Sequence, residues 1–250
     1  MDWVPLPKET SRSTLPAPTR GKDHSLLIYK HWCMLNQWRV GTLPEVHYIP
    51  AYISEEDERR LLDRISSSKA PWTEVSGRRL RNYGGTIHDK SQALLQTPMP
   101  AWLVPLLQQL ARDTQAFGPG KEPNHVLLNA YMPGQGIMAH QDGPLYHPGA
   151  CIVSLSSPTV MHFTRKGPNP GSPGVKELSV ALMPRSLLVF SAEAYTDCLH
   201  GIDPDSNHPV EAVCNRETLA SDVGHELVPR EERYSLTIRR VLKSRALIKR

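Results

Sequence analysis

The spacing of apolar positions changes character near the middle of the chain. In SEEDERRLLDRI, residues 54–65, Leu61, Leu62 and Ile65 recur at helical spacing and predict an amphipathic helix. Ser54 with Asp57 three residues on marks its start, in the manner of a capping box. Leu103, Leu106, Leu107 and Leu110 predict a second helix in AWLVPLLQQLARDT, with Pro105 leaving its beginning open because proline has no N–H to donate. A short strand is expected around His47–Ile49 and Tyr52–Ile53, and a short helix in LLIYKHWCML. Beyond Asn124 the helical period stops. HVLLNAYM, GIMAHQD, CIVSLSS, TVMHFTRK, KELSVALM, SLLVFS and YSLTIRRV are short β-branched or alternating runs, separated by turn-forming stretches such as PGQG and GPNPGSPG. Helices followed by many short strands predict an α+β, mainly β chain whose second half is an antiparallel sandwich or jelly roll.

Composition adds boundaries. The 250 residues suit one large domain with a flanking arm. Residues 1–40 are rich in Pro, Ser, Thr and charge without sustained periodicity, and read as a poorly ordered extension. Asp2, Glu9 and Asp23 count against a transit peptide. Residues 41–242 form the expected domain, 203–232 a polar insertion within it, and 243–250 a basic tail. The formal net charge of +4 permits a nucleic-acid partner without demanding one. Cys33, Cys151, Cys198 and Cys214 show no CxxC spacing, which argues against a structural zinc site. With no signal peptide in view they are expected to be reduced thiols. No apolar run approaches the roughly 20 residues that span a bilayer. A soluble monomer of the cytoplasm and nucleus is the expectation, with no membrane partner.

The candidate chemistry begins at MAHQDGPLYH. In an extended run residues i and i+2 point to one face, so His140 and Asp142 project together as two ligands for one metal. Alone, HxD is weak in a chain with 11 His. About 60 residues later, His200 in DCLHGI offers a third ligand. Two His and one carboxylate on strands are the facial set that holds Fe(II) and leaves positions open for substrate and oxygen. An independent signal is REERYSLTIRR, where Arg233 and Arg239 stand six residues apart and therefore share a strand face. Two guanidinium groups directed into a barrel are costly unless an anion meets them, and a dicarboxylate co-substrate would do so.

HxD, the distant His and the closing R-x-S-L-T-x-R strand resemble the AlkB family of Fe(II)- and 2-oxoglutarate-dependent dioxygenases, over roughly residues 40–241. The resemblance implies a double-stranded β-helix, or jelly-roll, core with flanking N-terminal helices and a substrate lid. It implies Fe(II) on His140, Asp142 and His200, with 2-oxoglutarate and molecular oxygen as co-substrates. Asn129 and Tyr131 match the N-x-Y pair that helps hold 2-oxoglutarate, Arg233 would meet its distal carboxylate, and Arg239 would lie near its iron-proximal end. The implied reaction turns 2-oxoglutarate into succinate and carbon dioxide while hydroxylating a C–H bond; an N-methyl carbon would then leave as formaldehyde. Gly143 and Pro144 follow Asp142 where several relatives carry further acidic residues, which bears on substrate identity rather than iron.

PWTEVSGRRLRNYGG occupies the expected lid. Arg78, Arg79 and Arg81 could meet phosphates and Trp72 or Tyr83 could stack on a base, or the stretch could be a solvated basic loop covering the barrel. His88, His125, His147 and His162 read as structural or surface residues, Met132, Met138 and Met161 as core filling, and Cys198 as packing. The expected activity is oxidative demethylation of alkylated nucleic acid, DNA or RNA. Its rivals are an oxygenase for protein side chains or small molecules, and a non-catalytic nucleic-acid-binding protein that retains the fold.

Overall fold

The computed structural model describes residues 35–75, 77–167, 174–204, 208–219, 226–227 and 231–246. The N-terminal extension and the short helix expected in LLIYKHWCML lie almost wholly outside them. In chain order the first half contains strand β1 (Val46–Ile49), helix α1 (Glu55–Ser67), strands β2 (Thr73–Val75), β3 (Arg78–Tyr83), β4 (Gly85–His88) and β5 (Ala93–Gln96), and helix α2 (Val104–Thr114). Strands β6 (His125–Tyr131), β7 (Ile137–His140), β8 (Gly149–Leu155), β9 (Thr159–Arg165), β10 (Lys176–Leu182) and β11 (Leu187–Ser191) follow. Helix α3 (Ala192–Thr196) and strands β12 (Cys198–Ile202), β13 (His208–Pro209), β14 (Glu226–Leu227), β15 (Arg233–Arg239) and β16 (Ser244–Ala246) complete the described chain.

Two antiparallel sheets make the jelly roll. The major sheet has the order β1-β11-β8-β15-β6-β3-β2, and the minor sheet β10-β9-β12-β7. Between them Tyr48, Ile152, Phe163, Val180, Leu188 and Phe190 form one core. On the other face of the major sheet, Leu61 and Ile65 of α1 and Leu107 and Leu110 of α2 pack on Val126, Val153, Leu236 and Ile238. β8 is buried along its whole length, which is why it reads as a continuous apolar run instead of an alternating one.

Local signals explain the helix bounds. The Ser54 hydroxyl accepts from the Asp57 N–H at 3.1 Å, as the capping pattern requires. The second helix begins at Val104, three residues into the expected stretch, with Pro105 in its first turn. There the missing N–H costs nothing, because the first N–H groups of a helix have no intrahelical acceptor.

Three stretches contain structure that periodicity did not predict. The lid region is strand: β2 and β3 form a hairpin, and β3 pairs with β6 to extend the major sheet. The polar insertion is anchored where it is described, since Val213 packs on Val160 and Ala181. Buried Asn215 joins the same patch, giving and taking hydrogen bonds with the Ala181 backbone at 2.9 and 2.8 Å. The basic C-terminal stretch contributes β16, which runs parallel to β5. Cys151, Cys198 and Cys214 are free thiols. Among the described residues no helix is long and apolar enough to cross a membrane.

Candidate metal centre and co-substrate pocket

β7 and β12 are neighbours in the minor sheet, and their register sets His140 directly opposite His200. The two imidazole centroids are 4.4 Å apart. Asp142 lies two residues past the end of β7, and one ligand atom from each of the three side chains falls within 4.8 Å of the others. The hydrogen bond between His140 Nδ1 and the Met138 carbonyl, 2.9 Å long, leaves Nε2 as the ring's ligand atom. His200 is buried beside Phe190; burial first of all depresses its pKa to about 4, so the ring is neutral at physiological pH. Asp142 Oδ1 accepts from the Arg239 guanidinium, while Oδ2 is buried without a hydrogen-bond partner. Two neutral imidazoles and one carboxylate with an oxygen to spare fit a borderline dication such as Fe(II).

The pocket beyond this cluster follows from strand alternation. Arg233, Ser235, Thr237 and Arg239 of β15 line it, with Leu127, Asn129 and Tyr131 of β6 beside them. Ile152, Met161 and Ile202 supply apolar wall, and Arg78 stands among the lining residues. Arg233 is 1% exposed, donates to the Ser154 hydroxyl at 2.9 Å and lies 5.6 Å from the Tyr131 ring centre. The Arg239 guanidinium stacks on Tyr146 at 4.2 Å. Asn129 accepts from Arg78 Nε at 3.2 Å and donates to Thr237 Oγ1 at 3.3 Å. A larger cavity lies on the far side of the major sheet between α1 and α2, lined by Leu61, Arg64, Trp102 and Leu106, and it holds none of the three ligands.

Residues 81–239 match the model of the 2OG-Fe(II) oxygenase superfamily. The chain belongs to that superfamily. It is a 2-oxoglutarate-dependent dioxygenase that uses Fe(II), 2-oxoglutarate and molecular oxygen. It is 40% identical to the Danio rerio protein named "Probable RNA/DNA demethylase ALKBH6", over 80% of this chain and 87% of that protein. It is 28% identical to the Mus musculus "tRNA (carboxymethyluridine(34)-5-O)-methyltransferase ALKBH8", over 86% of this chain but only 34% of that longer protein. Among solved structures, OsALKBH1 superposes with a TM-score of 0.52 at 13% identity, covering 81% of this chain and all of that one, a likeness of fold.

Within this oxygenase the structure brings His140, Asp142, His200, Asn129, Tyr131, Arg233 and Arg239 into one pocket. It divides the five lid residues. Alternation along β3 sends Arg78 to the pocket and Arg79, Arg81 and Tyr83 to the helical side. Arg81 is buried, donating to the Ile65 and Ser68 carbonyls at the end of α1 at 2.9 and 3.3 Å with its guanidinium 3.9 Å above Trp72. Tyr83 packs edge-on against Trp102 in the helical core. Arg79 pairs with Glu232 at 2.7 Å. Arg81, Tyr83 and the Trp72 ring beneath Arg81 are thus part of the scaffold, not the rim.

The sequence reading missed Ser154, Ser235, Thr237 and Tyr146. Ser235 and Thr237 were available from the i, i+2 rule once Arg233 was placed. Ser154 is the one hydroxyl inside the apolar run of β8. Nothing local announces Tyr146, which reaches Arg239 through a bridge to Val241. Met161 is core as expected, but Met138 is 89% and Met132 45% exposed, because β7 is an edge strand and the turn before it faces solvent.

Two histidines outside the ligand set contribute a pH dependence. Burial first, then nearby Arg239, lowers the His125 pKa to about 3, and burial with Arg39 lowers that of His47 to about 4. Both folded values lie below the unfolded 6.5, so the unfolded state takes up more protons on acidification. The stability these rings contribute is complete above pH 6.5 and falls as the pH drops toward 4 and 3. Tm measured from pH 7.5 to 4 should decline below 6.5, and a His47→Gln, His125→Gln double variant should show a shallower decline; equal slopes would exclude these two rings as the cause.

Proposed function

We propose that this dioxygenase oxidatively demethylates alkylated nucleic acid. The observation that carries this reading is the 40% identity with the zebrafish protein named "Probable RNA/DNA demethylase ALKBH6", over 80% of this chain and 87% of that one. Fe(II), when bound, supplies the oxygen chemistry that couples decarboxylation of 2-oxoglutarate to hydroxylation of a C–H bond. His140, Asp142 and His200 would hold it by one face. Arg233 binds the distal carboxylate of 2-oxoglutarate through paired, charge-assisted hydrogen bonds, with Asn129 and Tyr131 alongside. Arg239 holds the Asp142 carboxylate in the ligand position and marks the iron-proximal end. Ile152, Met161 and Ile202 exclude water around the co-substrate chain. Arg78, the lid cation that faces the pocket, is placed among its lining residues, where a substrate phosphate or base edge could meet it.

The test is formaldehyde and succinate release over a panel of N-methylated DNA and RNA oligonucleotides, methylated peptides and methylated metabolites. Methylated oligonucleotides should give formaldehyde in step with succinate and well above the unmodified strands. Stimulation by peptides or metabolites alone would overturn the nucleic-acid reading and leave the oxygenase chemistry standing.

A further inference from the structure

Gln141 stands between two ligands, and its own side chain is committed elsewhere. Nε2 donates to the Tyr195 carbonyl at 3.0 Å and to the Thr196 carbonyl at 2.7 Å. These are the closing residues of α3, the short helix that leads into β12 and His200. The last carbonyls of a helix have no intrahelical donor, so a side-chain amide there satisfies groups that would otherwise need water. A third bond runs the opposite way, from the Tyr195 hydroxyl to the Gly143 carbonyl at 3.3 Å. Lys166, outside this segment, donates to the same Thr196 carbonyl at 2.7 Å. The segment 141–143 is thereby laced to α3 on both sides of Asp142.

The lacing matters because Arg239 holds only the Asp142 carboxylate, while no strand pairing holds its backbone. Cross-strand pairing fixes His140 against His200, but β7 ends at His140. Beyond that point the chain turns through Gly143, which has a φ of +84°. We propose that Gln141 is a positioning residue: its two hydrogen bonds to α3 tie the Asp142 segment to the lead-in of the His200 strand and set the spacing of the ligands before the metal arrives. The inference rests on the iron-site reading of His140, Asp142 and His200. An ordered ligand set binds more tightly because less freedom is lost on binding.

The test is Mn(II) titration of the apo full-length protein, free Mn(II) being read by electron paramagnetic resonance. Gln141→Met keeps the length and neutrality of the side chain and removes both donors; its Kd for Mn(II) should rise about tenfold, the scale of one or two net hydrogen bonds. Gln141→Glu sets a carboxylate against two carbonyls and should also weaken binding, although its added charge by itself attracts a dication. At saturating Fe(II), the KM for 2-oxoglutarate in Gln141→Met should stay within about twofold of wild type, since Arg233 and Asn129 are untouched. Mn(II) binding within twofold of wild type in Gln141→Met, tighter binding in Gln141→Glu, or a KM that rises as far as the metal Kd overturns the proposal. Gln141→Met decides the matter alone if Gln141→Glu does not fold. Wild-type protein that fails to bind Mn(II) overturns the iron-site reading, and the proposal with it.

Discussion

Asp142→Ala is expected to abolish turnover of 2-oxoglutarate, by at least about a thousandfold, and to remove tight metal binding with it. Asp142 is the one anionic member of the ligand set; without it two neutral imidazoles remain, and neither offsets the charge of a dication. The variant also uncovers a cation. The Arg239 and Asp142 side chains are 6% and 4% exposed and bonded to each other, so removing the carboxylate leaves a guanidinium in the pocket without its counter-charge. Breaking one half of a buried pair costs about 3–5 kcal/mol, and the remaining charge repels the incoming metal. Tm of the apo variant should therefore fall, while Asp142→Asn, which keeps an acceptor for Arg239, should lose turnover with a smaller drop in Tm. Succinate release, Mn(II) titration and thermal melting of the same three proteins check this. Residual turnover above one-tenth of wild type in Asp142→Ala would mean that another group carries the charge of the site.

Arg233→Ala should raise the KM for 2-oxoglutarate by about 100- to 1000-fold, the scale of two charge-assisted hydrogen bonds. Metal affinity should be unchanged, because Arg233 and Arg239 occupy opposite ends of β15 and only Arg239 meets Asp142. The stability change should be small for so large a buried side chain. Burying a guanidinium carries a desolvation penalty, and its removal offsets much of the packing lost around Tyr131 and Ser154. Arg233→Lys keeps the charge but not the planar fork, so its KM should fall between wild type and alanine. Titration with 2-oxoglutarate at saturating Fe(II), together with Mn(II) binding and Tm, separates these effects. A KM within threefold of wild type in Arg233→Ala would move the co-substrate's distal carboxylate to another cation.

The different reach of these variants reflects how the pocket is built. Arg239 is held from three sides: by its strand, by the Asp142 carboxylate and by the Tyr146 ring. Tyr146 is in turn supplied by a segment that pairs with the chain just past β15, so the strand that carries the arginines also positions what surrounds them. Arg78 is held more simply, by one hydrogen bond to Asn129 from a hairpin at the sheet edge. Substitutions there should alter substrate handling before they alter the co-substrate.

Short-range pattern by itself determined α1 and α2, the main strands of the second half and the pairing of residues on one strand face, but not the short helix α3. Ser54, His140 with Asp142, and Arg233 with Arg239 are all relations over six residues or fewer, and backbone geometry alone fixes them. Period two says that neighbouring residues face opposite ways but does not say which way is inward. That choice was made by the pairing of β3 with β6, which turned Arg78 toward the pocket and spent Arg81 on the end of α1. The same limit explains Met138, whose strand lies at an edge that only the assembled minor sheet defines. His200 meets His140, Ser154 meets Arg233, and Gln141 meets α3 across gaps of 54 to 79 residues. Contacts at such separations depend on how the loops close and the sheets stack, and the tertiary structure alone decides that.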